Sequence, residues 1–296
     1  MAKGIARKVH GLFTALITPF DEKGRVDAGQ LAKLVEFQIS RAVDGIYPCG
    51  STGLGPMLRL DERKLVAQTV VRTARSRVPV TVQVGSADTS STVELAKHAE
   101  DVGAYAVASL TPYYYKPGDR ATMKHFEAVA KAIDIPVLAY NIPHFTGNNL
   151  VPSVVSELSK AGIAGIKDSS RDFLQLLEVL SAVPEDFVVM NGIEEYGLFA
   201  MMSGGDGLVS GGASALPELF KSMVAAHSKG DVGAALAAQR TIQQAKELVR
   251  AGPIAAYYEI LRARGIDCGV PRPPFLPLDK SAAARALAGL RRLGLF

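Results

Sequence analysis

The chain has 296 residues, of which 48% are hydrophobic and 21% are charged, the balance of an ordinary soluble globular protein. Its net charge of +4 is small and its basic residues are scattered, which excludes a nucleic-acid-binding stripe, and no apolar run approaches the roughly 20 residues of a membrane span. Cys49 and Cys268 are too few and too far apart for a disulfide framework or a zinc site, which favours a reducing, cytoplasmic location.

Apolar runs of strand length alternate with helical patterns along the chain. The predicted strands span residues 12–18, 45–49, 80–84, 104–110, 136–141, 163–167, 187–190 and 207–210. The helical patterns between and after them span residues 30–42, 62–76, 92–102, 123–133, 153–160, 173–183, 195–202 and 218–228. The strands are almost continuously apolar, as in a parallel sheet that is covered on both faces. Eight strand–helix pairs predict an α/β fold of the (β/α)8 TIM-barrel type, and a miscounted strand would leave an open Rossmann-like sheet as the alternative.

The basic N-terminus and the apolar run that follows it resemble a short signal peptide. No small-residue cleavage site follows that run, so we interpret residues 12–18 as the first strand. After residue 229 the pattern is only helical, at residues 232–250, 254–264 and 281–293. We therefore divide the chain into a barrel, residues 1–229, and a C-terminal helical extension, residues 230–296, that packs on the barrel.

A TIM barrel builds its active site at the carboxyl ends of its strands. Lys167 is the only lysine that ends a predicted strand rather than lying in a loop. Apolar surroundings disfavour the charged form of an amine, and a neutral amine can attack a carbonyl to give a Schiff base. The alternative is a structural lysine that pairs with a carboxylate such as Glu194, and position alone does not decide between the two.

Schiff-base chemistry also needs a proton carrier and a loop that binds an anion. Tyr140 closes the neighbouring strand and can carry protons, although it can equally be a core residue with its hydroxyl at the rim. The GSTG loop at residues 50–53 offers the hydroxyls of Ser51 and Thr52 and free backbone N–H groups, although such clusters are often simple turns. The three tyrosines at residues 113–115 provide further hydroxyls or packing.

The histidines and the glycine-rich segment of the chain bear on two other kinds of site. The five histidines are dispersed and show no ligand spacing, so no metal site is predicted. The glycine-rich segment SGGDGLVSGG resembles the phosphate loops of many barrels, which keeps a phosphosugar isomerase as an alternative.

Four segments carry a resemblance to a known family: GSTG, TPYYYKP, YNIPHFTG and GIKDSS, which follow predicted strands two, four, five and six. In this order they resemble the pyruvate-dependent class I aldolases that include dihydrodipicolinate synthase and N-acetylneuraminate lyase. The resemblance extends from LITPF to the turn PRPPFLPL, nearly the whole chain. It implies a TIM barrel with a C-terminal helical part, a homotetramer built as a dimer of dimers, pyruvate and an aldehyde as small-molecule substrates, and no cofactor.

The resemblance also implies roles for individual residues. Lys167 would form the Schiff base with C2 of pyruvate or another 2-oxo acid, and Tyr140 would donate and accept protons. Ser51, where many members have threonine, and Tyr114, reaching from a neighbouring subunit, would complete a hydroxyl relay. The substrate-binding residues assigned with them are Thr52 and the backbone of Val209 for the pyruvate carboxylate, together with Gly192, Ser169 and Phe145.

Phe145 bears on the second substrate. Dihydrodipicolinate synthases typically carry an arginine at this position, two residues after the proline of the YN-x-P motif. An apolar ring cannot replace a bidentate cation, so a neutral aldehyde is expected. GSTGLGP and PRPPFLPL are most similar to archaeal-type 2-keto-3-deoxygluconate aldolases, which cleave a sugar acid to pyruvate and glyceraldehyde.

The leading hypothesis is therefore a 2-keto-3-deoxy sugar acid aldolase. The alternatives within the family are 4-hydroxy-tetrahydrodipicolinate synthase, N-acetylneuraminate lyase and a sugar-acid dehydratase. A phosphosugar isomerase and a non-catalytic sugar-acid sensor are the alternatives from other classes.

Overall fold

A computed structural model describes residues 9–296, in which eight strands alternate with helices. The strands are β1 (Gly11–Ala15), β2 (Gly45–Tyr47), β3 (Thr81–Gln83), β4 (Ala106–Leu110), β5 (Val137–Asn141), β6 (Gly165–Asp168), β7 (Val188–Asn191) and β8 (Gly207–Ser210). The barrel helices are α1 (Ala28–Ser40), α2 (Leu60–Ala74), α3 (Thr89–Asp101), α4 (Asp119–Ala132), α5 (Pro143–Thr146), α6 (Pro152–Lys160), α7 (Phe173–Ala182), α8 (Gly197–Met202) and α9 (Pro217–Ser228).

The strands form one parallel sheet in the order β2-β1-β8-β7-β6-β5-β4-β3. A parallel bridge between Ile46 and Val80 joins the two ends of that order. The backbone N–H of Gln83 also donates to the carbonyl of Pro48 at 3.1 Å, across the same junction. The sheet is thereby closed into a ring, which confirms the TIM barrel and shows that the open Rossmann-like alternative is wrong.

The strands place alternate side chains on the two faces of the ring, as their pleat requires. In β5, Leu138 and Tyr140 pack with the cluster that fills the barrel, whereas Val137 and Ala139 pack in the larger cluster under the helices. In the neighbouring strand Lys167 is in register with Tyr140. The lysine therefore shares the inner face of the ring with the tyrosine.

Aspartates fix where several helices begin. Asp27, Asp88 and Asp172 each accept a hydrogen bond from the backbone N–H three residues later, so each satisfies a free donor of the first helical turn. The predicted starts of α1 to α4, at residues 30, 62, 92 and 123, were a few residues late. The first turns of these four helices consist largely of polar or small residues and lie outside the apolar periodicity. The prediction also missed α5, a single turn that Pro143 begins in the loop after β5.

Three further helices follow the barrel: α10 (Val232–Val249), α11 (Pro253–Ala263) and α12 (Lys280–Arg292). Their bounds agree with the predicted helices to within one residue. α11 reaches the barrel mouth, where the Tyr258 hydroxyl donates to the carbonyl of Thr18 at 2.7 Å. The division of the chain at residue 229 stays a prediction. Among residues 9–296 no helix is both long and apolar enough to span a membrane.

Candidate active site

The side chain of Lys167 is buried inside the barrel near the carboxyl end of β6, with only 4% of the residue exposed. Its Nζ lies 3.9 Å from the ring centroid of Tyr140 and 4.4 Å from that of Tyr47. Within residues 9–296 no carboxylate is at ion-pair distance from this amine. The predicted alternative, a pair with Glu194, is wrong, because Glu194 pairs with Lys246 from α10 at 3.0 Å.

The neighbouring Asp168 points away from the lysine, to the outer face of the ring. Its carboxylate accepts hydrogen bonds from Asn141 Nδ2 at 2.8 Å and from Ser170 Oγ at 2.7 Å. Burial raises the pKa of Asp168, and these two hydrogen bonds offset only part of the effect. Strand alternation therefore separates the aspartate from Lys167 although the two are adjacent in sequence.

Tyr140 and Ser51 come together beside the lysine, as the sequence predicts. The Tyr140 hydroxyl lies 3.5 Å from Ser51 Oγ, and the tyrosine is 2% exposed. Tyr47, which the sequence analysis missed, packs edge-on against Tyr140 with ring centroids 6.0 Å apart. Burial raises the pKa of Tyr47 well above its ordinary value. Side chains alternate along β2, so the position of Tyr47 on the inward-facing side of this strand could have identified it.

The loops after β1 and β8 both contact the loop after β2, at Gly53 and Thr52 respectively. A Cβ on Gly211 would lie 2.7 Å from Thr52 Oγ1, so the two loops touch only because residue 211 is glycine. On the other side, Thr18 Oγ1 donates to the carbonyl of Gly53 at 2.6 Å. Val209 lies buried in the strand that leads into this contact. The structure thus brings Thr52 and Val209 to one part of the mouth, as predicted.

Gly192 and Ser169 lie directly beside Lys167. A Cβ on Gly192 would come within 2.0 Å of Ser169 Oγ and 3.0 Å of Lys167 Cε. Residue 192 must therefore lack a side chain for these groups to pack as they do. The three residues close the inner mouth on the side of β6 and β7.

Two of the predicted residues lie on the rim and are exposed. Tyr114 is 86% exposed with φ of +77°, and Phe145 is 68% exposed on α5. Asn148 Nδ2 holds the tyrosine loop by donating to the carbonyls of Pro112 and Tyr115. In the described part of the chain no hydrogen bond joins Tyr114 to the buried hydroxyls. The tyrosine of this loop that packs against the barrel interior is Tyr113.

A cavity of about 400 Å³ opens at the opposite, amino end of the barrel. Asp44, Asp206 and Lys221 contribute to its lining, and Lys221 pairs with Asp44 at 2.5 Å. The amino end of a TIM barrel contributes stability, whereas catalytic groups come from the carboxyl end. We therefore assign the candidate site to the mouth around Lys167. No group of three or more His, Cys, Asp or Glu side chains in residues 9–296 is arranged to hold a metal ion.

Comparison with known proteins gives consistent matches over nearly the whole chain. The profile of the dihydrodipicolinate synthetase family matches residues 8–291. A 4-hydroxy-tetrahydrodipicolinate synthase from Chlorobium phaeobacteroides is 35% identical over 293 residues, which cover 98% of this chain and 99% of the relative. A protein of the same name from Acidiphilium cryptum is 36% identical over 289 residues, which cover 97% of this chain and 99% of the relative.

Solved structures give the same result. YagE, a prophage protein of the dihydrodipicolinic acid synthase family from E. coli K12 in complex with pyruvate, has a TM-score of 0.93 at 29% identity, covering 97% of this chain and 99% of its own. KD(P)GA from T. tenax has a TM-score of 0.89 at 33% identity, covering 96% of this chain and 99% of its own. The chain therefore belongs to the dihydrodipicolinate synthetase family, and it is a lyase that makes or breaks a carbon–carbon bond with pyruvate.

Proposed function

We propose that the protein is a Schiff-base-forming aldolase that uses Lys167 as its nucleophile. One observation carries this proposal: the Lys167 amine is buried between two aromatic rings, without a carboxylate partner in the described chain. No carboxylate among the described residues competes with a substrate for this amine. The deprotonated form of a primary amine attacks the C2 carbonyl of pyruvate to give a Schiff base.

Tyr140 is the proton carrier of the proposed reaction. Attack by the amine gives a carbinolamine, whose hydroxyl needs a proton before it can leave as water. The resulting imine withdraws electrons from C3, so that a C3 proton can be removed and the enamine can attack an aldehyde. The Tyr140 hydroxyl is the buried donor and acceptor beside the amine, and Ser51 Oγ, 3.5 Å away, connects it to the mouth.

The contact between Thr52 and the loop after β8 supports a carboxylate site. In this proposal, the backbone N–H groups of residues 51–53, the hydroxyls of Ser51 and Thr52 and the backbone of Val209 bind the pyruvate carboxylate. Backbone N–H groups in a tight turn bind anions well. Gly192 and Ser169 then border the space beside Lys167 into which the aldehyde enters.

Tyr114 completes the proton relay from a neighbouring subunit of a homotetramer in this proposal. Its ring is 86% exposed in the single chain, on a loop whose carbonyls accept hydrogen bonds from Asn148. Exposed aromatic side chains on an ordered loop are typical of a surface that another molecule covers. We also propose a cytoplasmic location, which the two buried, unpaired cysteines support.

The proposed aldehyde is neutral, and the proposed substrate is a 2-keto-3-deoxy sugar acid of the 2-keto-3-deoxygluconate type. The supporting observation is Phe145, an exposed apolar side chain where dihydrodipicolinate synthases typically carry an arginine. The second candidate is 4-hydroxy-tetrahydrodipicolinate synthase. It is favoured by the names of the curated relatives at 35% and 36% identity.

Reductive trapping tests the nucleophile. The protein is incubated with pyruvate and borohydride, and its peptides are analysed by mass spectrometry. We expect one reduced pyruvate adduct on the peptide that contains Lys167, and none in Lys167→Arg, which keeps the charge but loses the primary amine. An adduct on another lysine, or no adduct in the unmodified protein, rejects the proposal.

Turnover with two aldehydes separates the two candidate functions. Glyceraldehyde and aspartate semialdehyde are each supplied with pyruvate, and kcat/KM is compared. A higher value with glyceraldehyde supports the sugar-acid aldolase. A higher value with the semialdehyde favours the second candidate and leaves the role of Lys167 unchanged.

A further inference from the structure

The loop that follows β8 is fixed by a buried carboxylate from the 3-10 turn that follows β7. Glu194 Oε1 accepts two hydrogen bonds, from Ser210 Oγ and from the backbone N–H of Gly212, each at 2.7 Å. Ser210 Oγ in turn accepts from the backbone N–H of Ala213 at 2.9 Å. One carboxylate oxygen therefore holds both the start and the middle of the turn.

The second oxygen of Glu194 faces Lys246, which lies on α10 in the C-terminal helices. The Glu194 Oε2 to Lys246 Nζ distance is 3.0 Å, and Lys246 also lies 3.1 Å from Glu195 Oε2. Burial alone would raise the pKa of Glu194, but the ammonium and the two hydrogen bonds outweigh it and lower the pKa below its ordinary value. Glu194 is thus ionised at neutral pH, and Lys246 is its counterion.

A second residue of α10 forms hydrogen bonds with the backbone of the same segment. Gln239 lies two turns before Lys246 and therefore on the same face of the helix. Its Nε2 donates to the carbonyl of Glu194 at 2.9 Å, and its Oε1 accepts from the backbone N–H of Leu198 at 3.0 Å. α10 therefore fixes both the side chain and the main chain of Glu194.

The turn that Glu194 holds is the turn that touches Thr52. Gly211 lies between Ser210 and Gly212, and a Cβ on it would be 2.7 Å from Thr52 Oγ1. We infer that Glu194 and Lys246 are positioning residues that set the pyruvate-carboxylate site by holding the β8 turn against Thr52. This inference rests on the proposed function, because it assumes that the carboxylate binds at this contact.

Removing the ammonium tests this inference. Lys246→Met keeps an unbranched side chain but leaves Glu194 as a buried carboxylate without a counterion, which loosens the turn. A small displacement of a group that positions the substrate can lower the reaction rate by up to about 100-fold. We therefore expect the KM for pyruvate to rise by roughly 10-fold or more. The pyruvate concentration for half-maximal borohydride trapping should rise by the same factor, while kcat at saturating pyruvate changes little.

Three variants complete the design. Lys246→Arg keeps the charge and is expected to restore most of the pyruvate affinity. Lys160→Met removes an exposed ion pair with Glu157 on α6 and is the matched control, expected to leave both constants unchanged. Glu194→Gln, which keeps an acceptor oxygen but no charge, serves as the second test if Lys246→Met does not fold.

The outcomes are distinct. An unchanged half-trapping concentration in a folded Lys246→Met protein overturns the inference, and so does a loss confined to kcat at saturating pyruvate. If Lys246→Met does not fold, unchanged pyruvate affinity in Glu194→Gln overturns it. Failure of the proposed function looks different, because the unmodified protein would then give no adduct on Lys167.

Discussion

The interior of the barrel and its rim differ in how fully the residues of a single chain form the candidate active site. In the interior, Lys167, Tyr140 and Ser169 are each less than 5% exposed. Lys167 and Tyr140 are in register on adjacent parallel strands, and Ser169 follows directly after β6. On the rim, Tyr114 and Phe145 are mostly exposed and lie on connecting segments. Strand pairing alone thus places the Lys167 amine beside Tyr140, whereas Tyr114 and Phe145 are proposed to act together with another subunit or with the substrate.

Tyr140→Phe is the strongest test of the interior. The substitution keeps the ring beside the lysine but removes the proposed proton carrier, so kcat should fall by about 10²- to 10⁴-fold. Steady-state kinetics with pyruvate and an aldehyde measure the loss. Tyr115→Phe, which removes an exposed hydroxyl from the rim, is the control. Equal kcat values for the two variants would remove the distinction between interior and rim.

The imidazole of His125 offers a test of whether a buried basic group in this barrel stays neutral. His125 lies on α4 with its ring against Ser109 of β4, and burial lowers the pKa of its imidazole from 6.5 to about 4, although the charge of Asp88 opposes the shift. Above pH 6.5 the ring is neutral in both folded and unfolded chains. As the pH falls toward 4 the unfolded chain binds the proton first, so the free energy of unfolding should fall by about 3 kcal/mol.

Urea unfolding between pH 7 and pH 4 measures this loss. His125→Gln removes the titrating group, so its free energy of unfolding should fall less over the same range. The titration of carboxylates changes the free energy of unfolding of both proteins equally. Only the difference between the two pH dependences therefore reports on His125. Parallel curves would mean that burial does not hold this base neutral.

Phe145→Arg tests the rim as the determinant of the aldehyde. A hydrogen-bonded cation contributes about 1.5–3 kcal/mol, so kcat/KM for aspartate semialdehyde should rise by about 10- to 100-fold. The value for glyceraldehyde should change little. Leu174→Arg, which adds the same cation at another exposed apolar position, is the control. The same gain with both aldehydes would show a general charge effect instead.

Among these substitutions, Tyr114→Phe should cause the smallest change, a modest loss of kcat. The loss of one relay hydrogen bond corresponds to about 1 kcal/mol, or roughly fivefold in kcat. Because the residue is proposed to act in a neighbouring subunit, dilution that dissociates the assembly should lower the activity of the unmodified protein further. Activity that is independent of both the hydroxyl and the protein concentration would remove Tyr114 from the site.

The fold and the inner site followed from local patterns in the sequence. Alternating strands and helices predicted the barrel, because a strand that is apolar throughout must be buried on both faces. The positions of Lys167 and Tyr140 followed because neighbouring parallel strands end at the same edge. Strand bounds were less accurate, since the apolar run at residues 12–18 continues beyond the hydrogen-bonded ladder of β1.

The sequence by itself determined the barrel and the lysine at its mouth, since periodicity and strand ends are local properties of the chain. Only the tertiary structure decided that Glu194 pairs with Lys246 and that Lys167 has no carboxylate partner within residues 9–296, because a long-range ion pair depends on how α10 packs against the barrel. It also decided that Tyr113 turns inward and Tyr114 outward. The positive φ of Tyr114 breaks the strand alternation from which the direction of a side chain is predicted.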